Sequence, residues 1–148
     1  MTIRFFSQSQ TYREFSNFAP FWIDLDDARW PTVEHYYQAQ KFTDPQLRSM
    51  IRQAEKPIIA KSLADKNKAA MRPDWEAVKD EVMYGAVRRK FELHAELRAL
   101  LLATGDEDIA ESAPGDYYWG VGRKGTGQNR LGKIVERIRA ELRGDAER

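Results

Sequence analysis

The chain has 148 residues, 42% apolar and 32% charged, a size and mix that suit one globular domain with a substantial core. Its 24 basic and 23 acidic side chains leave a formal net charge of +1, which argues against a general nucleic-acid or anionic-membrane binder. The absence of cysteine excludes disulfides, thiol catalysis and cysteine-metal sites. No apolar run reaches membrane-span length and the first residues show no signal-peptide pattern, so a cytoplasmic home is expected.

Ile3-Arg4-Phe5-Phe6 reads as a short strand, followed by a polar loop from Ser7 to Tyr12. Phe15-Ser16-Asn17-Phe18 then places two small polar side chains between aromatics. Phe21, Ile23 and Leu25 alternate with Trp22 and Asp24, and Asp26-Asp27 turns the chain into Ala28-Arg29-Trp30, which is a hairpin pattern. The next stretch, Trp30 to Phe42, reads as a helix with Pro31 and Thr32 at its start. Val33, Tyr36, Tyr37 and Gln40 share one face by the i, i+3, i+4, i+7 rule, while Glu34, Gln38 and Lys41 share another. That second stripe has two readings. It is either a solvated face, where an exposed pair contributes about 0.3–0.5 kcal/mol, or the polar wall of a pocket shielded by Trp30, Tyr37 and Phe42.

Asp44-Pro45 has the form of an N-cap and first helical residue, with Leu47, Met50 and Ile51 on one face. Pro57 opens a short helix carrying Ile58, Ile59 and Leu63, and a basic loop is expected from Asp65 to Met71. A long helix starts at Pro73-Asp74-Trp75. Its apolar face comprises Val78, Val82, Met83, Ala86, Val87 and Phe91. After a break near His94 a second segment carries Leu97, Leu100 and Leu101, and Gly105 stands at its C′ position. Ile109 to Ala113 is a short strand candidate. The final helix, about Asn129 to Leu142, has a stripe of Leu131, Ile134, Val135, Ile138 and Leu142, and the tail from Gly144 to Arg148 is expected to fray. The sum is an α+β fold: one helix-dominated domain over residues 1–143, a small antiparallel sheet, and a short tail at 144–148.

Between the last strand and the last helix lies Tyr117-Tyr118-Trp119-Gly120-Val121-Gly122-Arg123-Lys124-Gly125-Thr126-Gly127. Glycines let backbone amides approach a ligand, and the following helix N-terminus favours anions. The loop matches neither a Walker A nor a Rossmann pattern, so it is either a phosphate site or a surface loop. His35 and His94 read as structural or surface residues, and two histidines without cysteine make a metal site unexpected. With no Gly-x-Ser-x-Gly elbow either, carboxylate–amine chemistry remains.

Five blocks occur in order: Phe5-Phe6-Ser7; Phe15-Ser16-Asn17-Phe18; Trp30-Pro31-Thr32-x-Glu34-His35-Tyr36-x-Gln38-Ala39-x-Lys41-Phe42; Tyr118-Trp119-Gly120; and Asn129-Arg130-Leu131-Gly132. In this the chain strongly resembles the YbiA-like members of the NADAR superfamily, from about Ile3 to Leu142. The segment ending at Trp75 and the helix Ala95 to Ala103 extend the resemblance, while Val121 and Arg123 depart from it at the rim of the glycine loop.

The resemblance implies the fold of that family and an N-glycosidase without metal or cofactor. Such an enzyme cleaves the ribose C1′–N bond of ribosylaminopyrimidine 5′-phosphates, early riboflavin-pathway intermediates, to give ribose 5-phosphate and an aminopyrimidine. Other members of the superfamily act on ADP-ribose attached to guanine, and a non-catalytic sensor of ADP-ribose or nucleotides is a third reading. The partner is then a small phosphorylated ribosyl compound, with modified nucleic acid under the second reading, no membrane, and the oligomeric state left open. Cleaving an N-glycoside builds positive charge at C1′. Glu34 is the candidate to stabilise that charge or activate water, and Lys41 to bind substrate or attack C1′ as a neutral amine. Trp30, Phe18 or Trp119 can floor the pyrimidine. Arg4, Arg130 and the Gly120–Gly122 backbone can hold phosphate. Ser16, Asn17, Tyr37, Gln38, Asp116 and Asn129 complete the expected substrate-binding set.

Overall fold

The computed structural model describes residues 1–146, with side chains through residue 145. The elements run β1 (Ile3–Phe5), β2 (Ile23–Leu25), β3 (Ala28–Trp30), α1 (Val33–Ala39), α2 (Pro45–Arg52), α3 (Pro57–Lys66), α4 (Trp75–Leu93), α5 (Ala95–Ala103), β4 (Ile109–Glu111) and α6 (Arg130–Ala146). Two 3-10 turns, Arg13–Phe15 and Lys68–Ala70, complete the set. The expected α+β class holds. Internal contacts divide the chain into two compact units: Pro20–Lys90, which is continuous, and Met1–Ala19 together with the chain from Phe91 onward.

In the unit that contains the first residues, β1 pairs with β4 in parallel, Ile3 opposite Ile109 and Phe5 opposite Glu111. The sequence predicts only antiparallel pairing. Parallel strands need a long crossover, and the partners here are separated by most of the chain, so no local signal marks them. Phe15 packs edge-on against Phe5 and Phe91, with ring centroids 5.8 and 5.7 Å apart. Leu131, Val135, Ile138 and Leu142 bury the stripe of α6, and Ile134 is half-buried. Arg139 is buried with its guanidinium satisfied by Thr104 Oγ1 at 2.9 Å and the Glu107 carbonyl at 2.8 Å. Helix α6 continues through Gly144 to Ala146, past the expected fraying point. Arg143 secures that last stretch by donating to Asp106 Oδ1 and the Gly105 carbonyl. Residues 147–148 of the expected tail lie outside the described residues.

In the continuous unit, the predicted hairpin forms with Ile23 opposite Trp30 and Leu25 opposite Ala28. Asp26 and Asp27 supply the two positive φ angles, 55° and 61°, of its two-residue turn. Asp44 Oδ1 caps α2 through the Gln46 amide. In α2, Leu47 and Ile51 are buried but Met50 is 51% exposed. In α3 the apolar expectation is reversed. Ala60 and Ala64 face inward while Ile58 and Ile59 are 54% and 40% exposed, because α1, α2 and α3 pack mutually and small residues allow α3 to approach. The expected basic loop after Asp65 is instead the end of α3 and the turn Lys68–Ala70. In α4, Met83, Ala86 and Val87 are buried, and Val78 and Val82 are half-buried. No helix among the described residues is long and apolar enough to cross a membrane.

Candidate functional site

Helix α1 is where the two readings of the polar stripe separate. Thr32 is the N-cap: its hydroxyl accepts from the His35 amide at 3.1 Å and lies 2.8 Å from His35 Nδ1. Every residue from Val33 to Ala39 is buried. Glu34 is only 6% exposed and Gln38 only 3%, so the solvated-face reading fails. His35 is structural. Its Nε2 reaches the Ala54 carbonyl at 2.9 Å, and burial pulls its pKa below the usual imidazole range.

Burying a carboxylate is costly unless it is paired or hydrogen-bonded. Gln38, one turn after Glu34, donates to Glu34 Oε2 at 2.7 Å. The same amide leaves Gln38 Oε1 buried with no hydrogen-bond partner among the described residues. Lys41 lies beyond the helix, in the turn that follows Ala39, rather than on its face as the i, i+7 spacing predicts. It still reaches the same neighbourhood. Its Nζ stands 5.4 Å from the Tyr37 ring centre and 6.0 Å from that of Trp75, which meet edge-to-face at 5.2 Å. Burial lowers the basicity of Lys41. The charges of Glu34 and Asp65 oppose that, and those of Lys61 and Lys68 add to it. Carboxylate, amide, amine and two aromatic walls thus converge.

Trp75 is the member absent from the expected site set: the segment ending there belongs to the family resemblance, but its approach to Tyr37 is a tertiary contact that no local pattern marks. Trp30, one of three aromatics expected as a base floor, is buried at the hairpin. Its indole N–H donates to the Leu25 carbonyl, its ring packs edge-on against Tyr36, and it thereby clasps the hairpin.

The remaining expected site residues belong to the other unit. Ser16 and Asn17 are buried, Ser16 Oγ accepts from the Phe18 amide at 3.1 Å, and Phe18 is half-buried. The glycine loop is knit from within. Asp116 Oδ1 accepts from the Tyr118 and Trp119 amides at 3.1 and 2.8 Å. Asn129, at φ 52°, brackets β4 by accepting from the Glu111 amide and donating to the Ile109 carbonyl. The amides of Val121, Gly125, Gly127, Gln128 and Asn129 all donate to backbone carbonyls. Those of Gly120 and Gly122, both buried glycines, donate to no backbone carbonyl among the described residues. Arg130 stacks 4.9 Å over Tyr118 and donates to Gln128 Oε1. Arg4 lines an open groove of about 350 Å³ with Val121, Gly125, Asn129 and Lys133. Arg130 is not among the residues of that groove, so the two expected phosphate-binding arginines do not share it. Glu111 is a second residue that sequence reasoning passed over. It is buried, its pKa is pushed up to about 7 by burial and by Asp116, and its Oε2 abuts Gly120.

The NADAR domain model matches residues 4–143. The chain belongs to the NADAR family. Among its NADAR relatives, "N-glycosidase YbiA" of Escherichia coli (strain K12) is 47% identical over 140 residues, spanning 95% of this chain and 88% of that one. "N-glycosidase Npun_R5314" of Nostoc punctiforme is 44% identical over 146 residues, spanning 97% and 94%. The chloroplastic "Riboflavin biosynthesis protein PYRR" of Zea mays is 36% identical, and the match covers 96% of this chain but 25% of that one. The NMR structure of Escherichia coli YbiA superposes with a TM-score of 0.90 at 45% identity, covering 99% of this chain and 87% of that one. The α+β architecture described above is therefore the NADAR fold.

Proposed function

We propose that this NADAR protein hydrolyses the ribose C1′–N bond of ribosylaminopyrimidine 5′-phosphates formed early in riboflavin biosynthesis. The broad class, a hydrolase of N-glycosyl bonds, is the one its relatives are named for, and it follows from 47% identity across nearly the whole chain. The narrower substrate is supported by the riboflavin names of the Zea mays relative and of a Vibrio vulnificus relative that is 38% identical.

The observation that carries the reading is the buried Glu34, held by Gln38 at 2.7 Å beside the Lys41 amine. As the C1′–N bond breaks, its electron pair leaves on nitrogen and the sugar becomes oxocarbenium-like. A carboxylate fixed by an internal hydrogen bond stabilises that charge without reorganising. Water then bonds to C1′, and one of its protons ends on the departing amine. Gln38 Oε1, unsatisfied by protein, accepts from a sugar hydroxyl, while Tyr37 and Trp75 exclude water. The test is to offer ribosylaminopyrimidine phosphates and ADP-ribosylated guanine to one preparation. Release of ribose 5-phosphate from the first alone is expected, and exclusive turnover of the second would replace this reading with de-ADP-ribosylation.

A further inference from the structure

Charge is unevenly spread in this nearly neutral chain. From Lys56 to Arg72 it carries Lys56, Lys61, Lys66, Lys68 and Arg72 against the single acid Asp65. The fold turns part of that run toward the reacting centre. Helix α3 packs along α1, the Lys68–Ala70 turn follows it, and the chain is pinned where the Arg72 amide donates to the Lys41 carbonyl at 2.8 Å. Lys61 and Lys68 are exposed, and both stand near enough to Lys41 to act on its charge. Lys61 pairs with Asp65 at 3.3 Å, and the Lys68 ammonium has no ion-pair or hydrogen-bond partner among the described residues.

We propose that Lys61 and Lys68 form the anion rim of the Glu34–Lys41 site and hold the 5′-phosphate of the ribose whose C1′ reacts. This rests on the ribosyl-hydrolase reading and adds the residues that select a phosphorylated sugar. Three amines gathered around one site repel one another, and Asp65 and Glu34 offset that only in part. A phosphate dianion supplies the missing negative charge through charge-assisted hydrogen bonds. A sugar ring separates C1′ from its phosphate, so the cations that bind phosphate belong beside the C1′ group rather than on it. Lys61 and Lys68 meet that requirement as neighbours of Lys41. Arg130 is already engaged by Tyr118 and Gln128.

The test uses the intact protein and two probes, ribose 5-phosphate and ribose, with affinities read by calorimetry or NMR titration. The Lys61→Ala/Lys68→Ala variant should bind ribose 5-phosphate at least about tenfold more weakly with ribose affinity unchanged, and Lys61→Arg/Lys68→Arg should retain most of the preference. The control is Lys56→Ala/Lys66→Ala, which removes the same charge from the same helix region and is expected to change little. An unaltered phosphate preference in the Lys61/Lys68 variant overturns the proposal. So does an equal loss in the Lys56/Lys66 control, which would mean a diffuse field of the kind that suits a polynucleotide. Turnover does not enter this test, so a failure to hydrolyse ribosylaminopyrimidines would count against the hydrolase reading alone.

Discussion

Glu34 is the residue on which the proposed chemistry turns. Replacing it with Gln keeps its shape and removes the charge that opposes the oxocarbenium ion. Glu34→Gln should therefore lower kcat by at least about 100-fold with an unchanged circular-dichroism spectrum and melting point, and near-normal turnover would remove Glu34 from the mechanism. Lys41 offers a covalent alternative to direct attack by water. Burial lowers its basicity, and Glu34 and Asp65 offset that only in part, so borohydride added during turnover reports whether the amine attacks C1′. A ribosyl adduct mapped to Lys41 supports imine formation, whereas turnover without an adduct, kept in Lys41→Met, reduces Lys41 to a binding residue. Glu34 and Gln38 were legible from helical spacing, whereas Lys41, beyond the end of α1, was legible from the family motif. Trp75 was not, since its approach to Tyr37 is a tertiary contact between distant parts of the chain. The place of Trp30 in the hairpin was not legible either, because aromatic character alone does not tell a hairpin clasp from a substrate wall.

At the scale of elements, local rules predicted what local chemistry decides. The Thr32 and Asp44 caps, the Asp26-Asp27 turn, the break at His94 and the Gly105 stop all follow from side-chain or backbone preferences of a few residues. The periodicity of α3 misled because a contact with α1 selects small residues, leaving Ile58 and Ile59 outside. The glycine loop offers a controlled comparison. Gly122 and Gly125 have nearly equal positive φ, 70° and 76°, but a Cβ at Gly122 would sit 2.3 Å from the Tyr117 ring, while at Gly125 it meets open space. Both Ala variants bear the left-handed backbone cost of about 1–2 kcal/mol. Gly122→Ala should lose roughly 1–3 kcal/mol more from overpacking, read as a lower urea midpoint at equal m-value. Equal midpoints would mean that Tyr117 moves aside at no cost.

Across the molecule, two buried titratable groups give stability a pH signature of opposite signs. His35 is held below its ordinary pKa of 6.5, so the unfolded chain binds the extra proton and stability falls as pH drops through that value. Glu111 is held above its ordinary 4.5, at about 7. The folded protein then keeps a proton that the unfolded chain has released, and stability falls as pH rises from about 4.5 to about 7, by on the order of 3 kcal/mol at most. Urea unfolding at pH 5.0 and pH 7.5 should show a loss at the higher pH that Glu111→Gln removes. An unchanged pH difference in that variant would mean that Glu111 ionises freely in the folded state.

The pairing of β1 with β4 also sets an order in time. A ribosome emits Ile3 to Phe5 well before Ile109 to Glu111, so the first strand has no partner while the intervening chain is made. Pro20 to Lys90 is contiguous, so all of its internal contacts are on hand once Lys90 has left the exit tunnel. The half that houses Glu34 and Lys41 can mature during synthesis, before the glycine loop has been made. A nascent chain stalled far enough beyond Lys90 for that residue to clear the exit tunnel should accordingly resist protease across residues 20–90 while residues 1–19 stay open to cleavage.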